Sequence, residues 1–285
     1  MYYGLIMLSV CMFGGNFVLN RQYQKESGSG LRETLLYTLL SAGAGLLILL
    51  GINGFRFEYT PFTLLIAILT AFNGIAFNFC GLRAMGSINL SLYSLFSMLG
   101  GMLLPFCAGI FFYGEKLTLA KAVCLVGILC ALLCTVEKSE KKNGTPYYIG
   151  IFVFNGMSGV LTKIFEATPV EKTSAAGFSV LSALATVLLA GILFLPFGRK
   201  KQQSLTPRAT LYAVGGGALN RFANFILVLS LAHVDASVQY PMITGGVMIV
   251  CTLSALLLGE KPSRREICSV VLAFLSLLAP LCIPI

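Results

Sequence analysis

The sequence predicts an all-α membrane protein: ten transmembrane helices arranged as two inverted five-helix repeats. Three observations carry this. First, hydrophobic residues make up 57 % of the 285 and charged residues only 11 %. A soluble domain has about 45–50 % apolar and about 25 % charged residues, so the charge here cannot cover a water-soluble globule. Second, the chain divides into ten apolar runs, each near the ~20 residues that a bilayer core demands. Third, short motifs recur in the same order in both halves.

In chain order the predicted spans are Tyr2–Asn20, Arg32–Ile52, Pro61–Leu82, Ile88–Phe112, Leu119–Thr135, Tyr147–Glu166, Ser174–Phe197, Arg208–Leu231, Ser237–Leu258 and Arg264–Pro284. Within lipid every backbone polar group must pair inside its own segment, so runs this long are helices. The alternation of a β-barrel strand is absent. The first run has no basic region before it and no small-residue cleavage site after it, which reads as a span rather than a removed signal. The second, fifth, seventh and tenth are almost purely apolar, as expected of helices turned toward lipid or scaffold. The others carry the amides, hydroxyls and basic groups discussed below. Glycine runs such as Gly43-Ala44-Gly45 and Gly215-Gly216-Gly217 read as close helix packing. The longest connections, near Arg21–Leu31, Val136–Pro146 and Gly198–Pro207, have no room for a soluble domain.

The repeat is legible in the motifs. Gly114-Glu115-Lys116 and Gly259-Glu260-Lys261 follow the fourth and ninth runs, and Gly100-Gly101 and Gly245-Gly246 keep the same offset. Val18–Arg21 (VLNR) matches Val160–Lys163 (VLTK), and Ala71–Phe77 (AFNGIAF) matches Ala218–Asn224 (ALNRFAN). The first repeat is residues 1–136, the second 147–285, and 137–146 is the linker. Five spans per repeat is odd, so the second half enters the membrane from the opposite side, which puts a binding site near the midplane between halves. In each Gly-Glu-Lys turn the glycine is expected to end one helix and the glutamate to begin the next, at its positive dipole end.

On these motifs and the two-fold five-span plan, the whole chain resembles the drug/metabolite transporter superfamily, in particular its ten-helix EamA-type members. The resemblance implies a central cavity lined by the first, third and fourth helices of each half. It also implies export or exchange of small metabolites such as amino acids, with both termini inside. The distribution of basic residues points the other way. Arg21, Lys25, Arg32, Arg83, Lys138, Lys141, Lys142, Arg199, Lys200, Lys201, Arg208, Lys261, Arg264 and Arg265 share one side, against Arg56, Lys116, Lys121, Lys163 and Lys172. By the positive-inside rule the termini lie outside.

Polar groups at membrane depth are costly and therefore informative. The candidate substrate-binding residues are Asn16, Asn20, Asn73, Asn78, Tyr93, Ser97, Asn155, Lys163, Asn220, Arg221, Asn224, Gln239 and Tyr240. All fall on the first, third or fourth helix of a half. Each single amide is equally explained as a bond between helices, worth about 0.6 kcal/mol on average; the set as a whole favours a cavity. Arg221 stands out because it falls half-way along its span, where a guanidinium costs at least about 2.5–3.5 kcal/mol, and no carboxylate lies at similar depth. It stays protonated, so water, an amide, a carbonyl or an anionic substrate group must compensate it.

The same inventory excludes much. The net charge of +9 sits in loops and speaks of lipid headgroups rather than nucleic acid. No P-loop, nucleophile triad or paired acid is present, so neither an enzyme nor a bound cofactor is expected. One His and nine Cys without a Cys-x-x-Cys make no metal site. With His233 the only His and no acid in mid-span, facilitated diffusion or exchange fits better than proton antiport. The function expected is a secondary transporter of a small metabolite, an amino acid or similar, including one that bears a carboxylate. It would work by alternating access in a multi-pass plasma membrane protein, bacterial in type, as monomer or homodimer, with solute and bilayer as its partners. The alternatives are a carrier for a lipid-linked phosphate and a non-transporting membrane subunit or sensor.

Overall fold

The computed structural model describes residues 2–114, 118–135, 145–197, 205–231 and 236–282. These form ten helices: α1 (Tyr2–Ser27), α2 (Leu31–Ile52), α3 (Pro61–Met85), α4 (Leu90–Tyr113), α5 (Leu119–Thr135), α6 (Thr145–Ala167), α7 (Ala175–Phe197), α8 (Pro207–Leu231), α9 (Ala236–Leu257) and α10 (Arg264–Cys282). Among the described residues, α1, α2, α3, α4, α6 and α7 are long and apolar enough to cross a membrane. Large apolar side chains stand exposed around the outside, among them Leu47, Phe112, Leu195 and Leu257. Such a surface suits acyl chains rather than water.

Local chemistry sets the helix ends. Thr60 caps α3, its hydroxyl accepting from Thr63 N, and Pro61 occupies the first turn, where its missing N–H costs nothing. Asn89 caps α4 by accepting from Leu92 N at 2.8 Å. Gly114 and Gly259 have φ of 65° and 74°, the left-handed conformation that closes helix C-termini. One expectation fails here. Glu260 does not serve its own following helix. Helix α10 starts with a capping box, in which Glu266 N donates to Ser263 Oγ and Ser263 N to Glu266 Oε2. The carboxylate of Glu260 accepts instead from Leu90 N at 2.7 Å, at the start of α4. Glu115 of the other turn lies outside the described residues. Helix α1 also runs beyond its expected end, past Asn20 to Ser27, which carries Arg21 and Lys25 on the helix rather than in a loop.

Eight helices close into a ring. α1 packs on α8, α8 on α2, α2 on α7, α7 on α3, α3 on α6, α6 on α4, α4 on α9, and α9 back on α1. α5 and α10 pair with each other outside it. The pairing is unchanged when each helix is exchanged for the one five places along: α1–α8 becomes α6–α3, and α1–α9 becomes α6–α4. Glycines allow the closest seams. A Cβ on Gly100 would collide with the Phe152 backbone carbonyl, and one on Gly217 with that of Ser41.

Candidate functional site

Helix α8 is wedged between α1 and α2 by its glycines. A Cβ on Gly216 would stand 3.1 Å from Asn16 Oδ1 and 3.0 Å from Asn20 Oδ1, so both amides face α8 one turn from Asn220. Asn20 also accepts from Tyr37 Oη of α2 at 2.6 Å. Asn224 Nδ2 donates back to the Asn220 carbonyl oxygen at 2.7 Å and to its Oδ1 at 3.2 Å. Arg221, midway along α8, is half-buried and lies along α2 at Gly45. The described residues form ion pairs at Arg21–Glu260, Lys25–Glu260 and Arg32–Glu33, and none reaches Arg221. No hydrogen bond joins its guanidinium to a described residue either.

The mirrored residues of α3, α4 and α6 form a second polar group. Asn73 Nδ2 donates to the Phe154 carbonyl oxygen and to Ser158 Oγ, both at 2.8 Å. Asn155 Nδ2 donates to the Ser97 carbonyl oxygen at 2.5 Å, while Ser97 Oγ is buried with no hydrogen-bond partner among the described residues. These amides hold helix seams together. Asn78 donates to Thr38 Oγ1 of α2 at 3.0 Å. Tyr93 is only 2 % exposed and meets Phe17 edge-on, 5.3 Å between ring centres, which makes it a core residue in this conformation. Lys163 Nζ sits 5.5 Å from the centre of the Tyr113 ring, a cation–π distance. The side chains of Gln239 and Tyr240 lie outside the described residues, as do His233 and Asp235.

Two features went unread in the sequence. Helix α2, expected to be idle scaffold, supplies Tyr37, Thr38 and the Gly45 socket. Glu260 joins the two halves at one end of the ring. An apolar groove of about 270 Å³, open to the outer surface, lies between α3 and α7, walled by Leu64, Ile68, Ala71, Leu181, Leu188 and Ile192. None of the candidate polar residues lines it.

Comparison with known proteins agrees with this architecture. A solved protein structure shares the fold, with a TM-score of 0.60 over 97 % of this chain and 96 % of that one at 13 % identity. No curated protein matches the sequence. Residues 143–280 match the EamA-like transporter family, whose members are transporters rather than enzymes. Through that second half, this multi-pass membrane protein is similar to the EamA-like transporter family of the drug/metabolite transporter superfamily.

Proposed function

We propose that the chain moves a small metabolite bearing an anionic group, an amino acid or similar, across the plasma membrane through the interior of the eight-helix ring. Alternating access of two inverted repeats, residues 1–136 and 147–285, drives export or exchange. The observation that carries this reading is Arg221: a mid-span guanidinium without an ion-pair partner among the described residues, one residue from Asn220 and three from Asn224. A permanent cation at membrane depth needs a counter-charge, and a substrate carboxylate supplies one. Asn16 and Asn20, which face α8 at Gly216, and Asn220 and Asn224 on α8 itself are the amides proposed to share the site with it. Asn73, Asn78, Ser97, Asn155 and Lys163 are the corresponding set on the other flank, and Tyr93, Gln239 and Tyr240 complete the proposed lining. The symmetric helix pairing supports the repeat, because inverted repeats place their site between halves.

The test is solute uptake into liposomes containing the purified protein, after a thermal-shift screen of amino acids, nucleosides, sugars and polyamines. The expected result is flux of a carboxylate-bearing solute, abolished by Arg221→Gln in a variant that still folds. Unchanged flux in Arg221→Gln overturns the role of Arg221. The apolar α3–α7 groove, open to the outer surface, favours one second reading, a lipid-linked phosphate whose tail stays in the bilayer. Scrambling of such a lipid without flux of any soluble anion would select it.

A further inference from the structure

At the end of the ring where α1 finishes, the two halves are joined by charge. Glu260 Oε1 takes Arg21 Nε at 2.7 Å and lies 3.6 Å from Lys25 Nζ. Its Oε2 accepts from Leu90 N at 2.7 Å. Beside it, Asn89 Nδ2 donates to Glu266 Oε2 at 2.6 Å, and Arg21 Nη1 reaches Gln24 at 3.4 Å. Every partner of the two glutamates across this junction lies in the first half, on α1 or at the start of α4, while both glutamates belong to the second. The Arg21 and Glu260 side chains are 13 % and 10 % exposed, so salt screens them weakly. Just inside this layer, Ser91 Oγ and Thr252 Oγ1 pair at 2.8 Å across the same seam, and Phe17 meets Tyr93.

We propose that Glu260 is a latch that holds this end of the ring closed and is released when the interior opens to that side. The chemistry suits a latch rather than a weld. A partly buried ion pair returns to water at little net cost, because solvation replaces what the pair provided. The apolar seams around it have no such substitute. The latch also places one carboxylate on two cations and a helix N-terminus together, so its charge alone decides three contacts. The inference rests on the transport reading for its purpose, but its geometry stands apart from Arg221.

The experiment replaces the native cysteines, introduces Ser91→Cys as a reporter, and measures its labelling by a membrane-impermeant maleimide in liposomes containing the full chain. With the latch intact, labelling is slow. Glu260→Gln keeps an acceptor for Leu90 N but removes the charge, while Arg21→Gln with Lys25→Gln keeps Glu260 on α4 and removes its cations. Each is expected to accelerate labelling about fivefold or more, the effect of losing roughly 1 kcal/mol from the closed state. Unchanged rates in both neutralised variants overturn the latch; if Glu260→Gln does not fold, the Arg21/Lys25 pair decides alone. Faster labelling in a protein that carries no solute supports the latch and removes the transport reading. Solute flux with unchanged labelling does the reverse.

Discussion

Gly45 on α2 forms the wall along which Arg221 of α8 lies: a Cβ at position 45 would stand 2.9 Å from both Cγ and Nε of the arginine. The neighbour is a flexible side chain rather than backbone, so Gly45→Ala displaces Arg221 without breaking the helix pair. Alanine is also the better helix former by roughly 0.5–1 kcal/mol. The expected outcome is an unchanged or slightly raised melting temperature together with a clear loss of solute flux in liposomes. Gly43→Ala meets no atom within 4 Å and is expected to leave flux unchanged, with a melting temperature equal to the parent's or slightly above it.

Gly100 is the opposite case. A methyl there runs into the Phe152 main chain, and Gly156 of α6 approaches the Gly100 carbonyl oxygen so closely that its own Cβ would lie 2.6 Å away. Backbone cannot rotate aside. Gly100→Ala is expected to cost about 1–3 kcal/mol by overpacking, read as a fall in melting temperature of purified protein. Gly74→Ala, in open space, serves as the control and is expected to melt with the parent or slightly above it.

Asn73 tests the seam role of the amides on these helices. It holds α3 to α6 through two bonds, and Ser158 Oγ keeps a second partner, the Phe154 carbonyl oxygen at 3.3 Å, without it. Asn73→Ala therefore orphans little. Each hydrogen bond in a membrane protein is worth about 0.6 kcal/mol on average and at most about 1.7, so a modest drop in melting temperature is expected. No drop at all would mean that the amide is not a seam contact in the membrane.

Length and apolarity made the ten helices legible, because backbone desolvation leaves no other solution for such runs. The polar positions were legible for the same reason: Asn73, Asn155 and Arg221 stand out against their apolar neighbours. Partners were not legible. Nothing in the spacing says that α2 sits beside α8, so the Gly43-Ala44-Gly45 run read as close packing without a named partner, and Thr38 did not stand out in its apolar span. Glu260 was read by its neighbours in sequence, yet its carboxylate reaches α1 and α4, far away in the chain. One signal was available: Ser263-Arg264-Arg265-Glu266 has the spacing of a capping box, which already provides for the start of α10 and frees Glu260 for other partners.

Glu58, in the turn between α2 and α3, gives a pH-dependent prediction. Its Oε2 accepts from Ser174 N at 2.6 Å, at the start of α7, where Ser174 Oγ in turn caps Gly177 N. The Ser174 backbone N–H, followed by its side chain, holds the Glu58 carboxyl below its ordinary value of 4.5. A carboxyl with a depressed folded value binds protons more readily when unfolded. Its contribution is therefore present above the ordinary value and disappears as the pH falls through the folded one. Glu58→Gln is expected to melt below the parent at neutral pH. That gap should start to close as the pH drops under 4.5 and vanish in stronger acid, where both side chains are neutral. Parallel thermal denaturation of the two proteins across this range checks it, and a gap that stays constant with pH would mean that shape rather than charge matters at this turn.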